Sequence, residues 1–74
     1  MAMSRHEQLV NFAPSYRAGY VSAGGRDEDL KTDEDIVKKL EAHGEDVNDE
    51  ADAERAGRDD GYADREAAKK RGHW

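Results

Sequence analysis

The chain has 74 residues, 41% of them charged, with a net charge of −6 and no cysteine. That length allows one small domain, and the missing thiols exclude a disulfide framework or a thiolate metal site. No stretch is apolar for long enough to cross a membrane, and the first residues lack the hydrophobic run of a secretory signal, so a cytoplasmic protein is expected.

Only nine side chains are Leu, Ile, Val or Phe. That is about 12% of the chain, below the roughly 20% at which a charged chain is expected to be disordered. A self-sufficient core is therefore not expected. The fold is expected to be completed by dimerisation or on a partner.

Residues 1–25 read as two short helices. Ser4 and Glu7 have the spacing of a capping box, which starts a helix from Arg5 to about Phe12. Pro14 cannot continue that helix and suits the first turn of another over Ser15 to Ala23, where Tyr16, Tyr20 and Ala23 share a face. Gly24-Gly25 ends it.

Residues 26–31 form a charged connector in which only Leu30 is apolar. Residues 32–44 are the clearest amphipathic helix. Thr32 can cap, Asp33, Glu34 and Asp35 favour the positive end of the macrodipole, and Ile36, Val37 and Leu40 form one stripe. His43 is placed to meet the negative end, and Gly44 suits the position just past it.

Residues 46–71 read as a long, Ala- and Gly-rich acidic helix. Gly57 and Gly61 each lower helix propensity by roughly 1 kcal/mol relative to Ala and mark points where the helix can kink or break. Residues 72–74 are a tail. Nothing alternates with the period of a strand, so the fold class is all-α: three or four short helices, the longest at the C-terminus, in a single small domain.

Charge is the strongest pointer to partners. Residues 27–60 hold fifteen of the eighteen carboxylates and five of the twelve basic side chains, a local charge of −10. One reading is a solvated surface that keeps a small protein dispersed. The other is an acidic face that imitates a phosphate backbone and occupies the basic groove of a nucleic-acid-binding protein. Asp27, Glu28, Asp29, Asp33, Glu34, Asp35, Glu45, Asp46, Asp49, Glu50, Asp52, Asp59 and Asp60 would carry it. Direct binding to DNA or to an anionic membrane through this segment is not expected.

A second constellation is Ala53, Gly57 and Gly61, four residues apart on one helix face. Small residues at that spacing let another helix approach closely, within the chain or across a dimer, with Tyr62 beside the seam supplying bulk. Tyr16, Tyr20 and Trp74 are candidate aromatic anchors. The basic tail Lys69-Lys70-Arg71, tipped by Trp74, is either an ordinary helix end or a hook for a partner.

Catalysis and metal binding find no pattern. An EF-hand reading from Asp46 fails, because Ala51 stands where Gly is required and Gly57 where the bidentate Glu belongs. His6, His43 and His73 lack the spacing of zinc ligands, and no nucleophile–base arrangement or phosphate-cradling glycine loop occurs. No catalytic, cofactor or metal site is expected.

Gly19-Tyr20 and Gly61-Tyr62-Ala63-Asp64 distantly resemble the paired Gly-aromatic helices of ribosome modulation factors. Over these few residues the resemblance implies a small helical protein that binds ribosomal RNA, and the acidic centre departs from that basic family. In size and charge the chain is also similar to small accessory proteins of phage and other mobile elements, anti-CRISPR and anti-restriction factors among them. The expectation drawn is a non-enzymatic inhibitor or regulator with a nucleic-acid-mimicking acidic face. The rivals are an assembly subunit using the Gly/Ala seam and the aromatic anchors, or a ribosome-associated factor.

Overall fold

A computed structural model describes residues 3–72. Three helices account for most of it: α1 Arg5–Ser22, α2 Asp33–Ala42 and α3 Glu50–Lys70, the longest. Short 3-10 turns at Asp27–Asp29 and Gly44–Asp46 join them, and no strand occurs among the described residues.

Each helix start is held by a side chain. Ser4 Oγ accepts from the Glu7 N–H at 3.1 Å, which is half of the expected box. At α2 the box is complete: Thr32 Oγ1 accepts from the Asp35 N–H, and Asp35 accepts in return from the Thr32 N–H, both at 3.2 Å. At α3, Asp49 accepts from the Asp52 N–H at 2.9 Å, and Asp52 accepts from the Asn48 N–H at 3.1 Å. This reciprocal capping starts α3 at Glu50 rather than at 46, and leaves Val47 extended and buried as a plug. Gly24 and Gly44 follow their helices with φ of 102° and 63°, a backbone conformation that glycine adopts without strain.

One expectation about a helix break is corrected. Residues 5–22 form one continuous helix with Pro14 inside it, not two helices. Pro14 cannot donate to the Val10 carbonyl, which costs about 3 kcal/mol relative to Ala. It lies on the exposed side, while Leu9, Phe12, Ala13, Tyr16 and Tyr20 on the other side are buried and hold the segment to its neighbours. The long C-terminal helix is as expected, and it runs without interruption through Gly57 and Gly61.

The core closes within one chain, which corrects the expectation that a partner must complete it. Leu9, Tyr16, Tyr20, Leu30, Ile36, Val37, Leu40 and Val47 are all at most 1% exposed. Among the described residues, the large apolar side chains left exposed are Met3, Val21 and Tyr62. Helix α1 is central and packs on both α2 and α3. Little bulk suffices because α1 and α3 meet backbone to backbone.

That contact is made by three glycines. A methyl at Gly57 would stand 2.9 Å from the Tyr16 carbonyl carbon and the Tyr20 nitrogen, and nearer still to the Tyr16 oxygen. At Gly61 it would stand 3.0 Å from the Tyr20 carbonyl carbon, and at Gly19 3.0 Å from that of Glu54. Each glycine therefore directs a Cα–H at a carbonyl of the facing helix, a weak hydrogen bond repeated along the seam. The order of these contacts, Tyr16 with Gly57 and then Tyr20 with Gly61, makes α1 and α3 parallel.

Candidate acidic interaction surface

The thirteen carboxylates expected to form one face fall into two groups. Asp27, Glu28, Asp29, Asp33, Glu34 and Asp35 surround the first 3-10 turn and the start of α2. Glu45, Asp46, Asp49, Glu50 and Asp52 surround the second turn and the start of α3, with Asp59 and Asp60 two turns further on. Helix α2, ten residues and so about 15 Å long, separates the groups.

The carboxylates also divide by what they hold. Asp27 pairs with Arg17, Glu28 with Arg26 at 3.4 Å, and Glu34 with His6 Nε2 at 3.1 Å. Asp35, Asp49 and Asp52 receive the backbone N–H groups of the helix starts. Asp60 is half-buried and accepts from both the Tyr16 hydroxyl and His43 Nε2, the latter at 3.0 Å. Asp29, Asp33, Glu45, Asp46, Glu50 and Asp59 are exposed, and make no side-chain hydrogen bond or ion pair among the described residues. Asp46 and Asp59, with Asp52, line a shallow groove that also contains His43 and Arg55.

The aromatic residues are not surface anchors. Tyr16 and Tyr20 are 0% exposed, with ring centroids 6.0 Å apart. Each places its hydroxyl on a carboxylate of α3, Tyr16 on Asp60 and Tyr20 on Asp64. Burial first, and then the hydrogen bond to a carboxylate, push both phenols well above their ordinary range. His43 turns its ring to Asp60 rather than serving the end of its own helix. Trp74 lies outside the described residues.

The seam Ala53, Gly57 and Gly61 is brought together, inside the chain, and is therefore not available to a second copy. Gly19 belongs to it too, a role its sequence context did not assign, although a glycine in a helix interior without a capping role is a signal of close approach. Tyr62 is 58% exposed and does not supply the bulk expected of it beside the seam.

Among the described residues, no group of three or more His, Asp or Glu could hold a metal ion, and no helix is long and apolar enough to cross a membrane. No family model, curated protein or solved structure matches this chain.

Proposed function

We propose that this protein is a non-catalytic regulator that uses its exposed carboxylates to occupy the basic surface of a nucleic-acid-binding protein. Six carboxylates without an internal partner support this reading: Asp29, Asp33, Glu45, Asp46, Glu50 and Asp59. Beyond the helix-dipole interaction of Asp33 and Glu50, no internal contact accounts for them, and like charges held close together destabilise a fold unless something outside relieves them. Asp33 and Glu50 sit in the first turns of capped helices, Asp29, Glu45 and Asp46 on the 3-10 turns before those helices, and Asp59 within α3, so the charges are presented in a set arrangement. A basic groove that binds phosphates would gain the same counterion-releasing attraction from them. Inhibitors carried by phage or other mobile elements are the type of protein this suits.

Interception of heparin-binding proteins tests it. The immobilised chain is expected to retain a small set of them from a bacterial lysate at 50 mM salt and release them by 0.5 M. Added duplex DNA should displace them, and the variant D29N/E45Q/D46N/E50Q/D59N should capture none. Capture that resists DNA, or that survives in the neutral variant, would sink the proposal.

A further inference from the structure

One apolar surface lies inside the first acidic group. Pro14, Ala18 and Val21 form the outer wall of α1, and Asp27 with Asp33 forms the opposite wall, around a groove of about 640 Å³. Arg17 fixes the two walls together: it pairs with Asp27 and donates to the Leu30 carbonyl at 2.7 Å. The groove is thus preformed. Val21 is 45% exposed, unlike the Leu, Ile and Val side chains of the core, and nothing in the seam or the core uses Pro14 or Ala18.

We propose that this groove receives the apolar ridge of a basic amphipathic helix belonging to the partner. Charge complementarity selects that occupant. In the groove wall Asp33 has no internal partner and Asp27 is paired with Arg17, while Glu28, Asp29 and Glu34 lie close by in sequence and are exposed. An apolar floor rimmed by carboxylates fits side chains spaced three and four apart on a helix whose flanks carry Lys and Arg. A second copy of this chain would instead bring the unpartnered Asp33 and its acidic neighbours against themselves, which like-charge repulsion disfavours. The inference rests on the acidic-surface reading for the partner's charge and adds that recognition has an apolar half.

The probe is an 18-residue peptide with Leu and Val on one helical face and Lys on the other. Its control has the same composition permuted so that no apolar face forms. Fluorescence anisotropy with the full chain at 0.15 M salt is expected to give at least tenfold tighter binding for the amphipathic peptide. Amide shifts should centre on Ala18, Val21 and Ser22. V21S and A18Q, both at exposed positions, should each weaken that peptide at least threefold, with unchanged helical circular dichroism.

Equal binding of the two peptides, or V21S and A18Q without effect, overturns the groove. If D29N/D33N abolishes binding of both peptides in that case, the acidic reading survives alone. If V21S weakens binding while D29N/D33N does not, the acidic reading falls and the basic character assigned to the occupant falls with it. A solution mass of twice 8.3 kDa that returns to the monomer in V21S would give the groove to a second copy and overturn the proposal.

Discussion

Gly57 sits directly on the carbonyl of Tyr16, at the point where two parallel helices touch through their backbones. Neither neighbour is the end of a flexible side chain, so a methyl group here can be accommodated only by moving a helix. Overpacking of this kind costs typically 1–3 kcal/mol and occasionally more, against a helix-propensity gain of about 1 kcal/mol for Gly→Ala. Gly57→Ala and Gly61→Ala are each expected to lose about 2 kcal/mol net, roughly 10 °C in Tm for a chain this size. Gly44→Ala is the comparison. Nothing lies within 4 Å of that position, and only its φ of 63° is strained, so a loss of about 1 kcal/mol is expected. Thermal melts followed by circular dichroism rank the three, and a stabilised G57A would contradict the seam.

The two buried phenols make stability depend on alkaline pH. Tyr16 and Tyr20 have folded-state pKa values raised above the unfolded value of about 10. Their contribution is therefore complete below pH 10 and is lost as pH rises beyond it, because only the unfolded chain releases those protons. Each phenol should lower the unfolding free energy by about 1.4 kcal/mol per pH unit above 10. In a Y62F background, phenolate absorbance at 295 nm should appear only together with loss of helical circular dichroism. Phenolate that forms while the helices persist would show that these hydroxyls reach solvent.

The two tyrosines also show what was legible in the sequence and what was not. Helices, caps and the Ala53–Gly57–Gly61 face follow from local spacing, and the all-α fold with its longest helix last is as expected. Spacing alone did not say what the face packs on. Tyr16 and Tyr20 find Asp60 and Asp64, each 44 residues away, and only the parallel register of α1 and α3 aligns the pairs. A count of large apolar side chains underrated the core for the same reason. Two satisfied tyrosines fill it, and glycines remove the need for bulk. Of the acidic residues, capping roles at Asp35 and Asp49 could be read from their place before or within a first turn. The job of Asp60 could not, since its partners come from α1 and the end of α2.

Pro14 gives a test of how far packing overrides propensity. It is exposed in the interior of α1, where its ring removes one backbone hydrogen bond. Ala at this position restores the N–H donor to the Val10 carbonyl, a gain of up to about 3 kcal/mol. The more flexible unfolded chain offsets up to about 1 kcal/mol of that. P14A is expected to be stabilised by about 1–2 kcal/mol, read as a higher urea midpoint with an unchanged slope. A lower midpoint would mean that α1 depends on a bend at this residue.

The carboxylates should separate into two classes in stability as well as in binding. Asp49→Ala removes the cap of α3 and is expected to cost about 1 kcal/mol. Asp60→Asn weakens two hydrogen bonds at once, from Tyr16 and His43, and is expected to cost about 2 kcal/mol. Neutralising Asp29, Glu45, Asp46 and Asp59 removes self-repulsion and no internal bond, so the chain should hold or gain stability. Glu50 differs slightly, since its place in the first turn of α3 gives it a favourable dipole interaction of about 0.3–1 kcal/mol that its neutral form would lose. Urea melts at 0.05 M and 0.5 M salt distinguish the classes. The wild-type chain should gain stability with salt, and the neutral variant should gain less. If neutralising the four unpartnered acids instead costs as much as losing Asp60, these residues serve the fold, and the case for an outward-facing role loses its support.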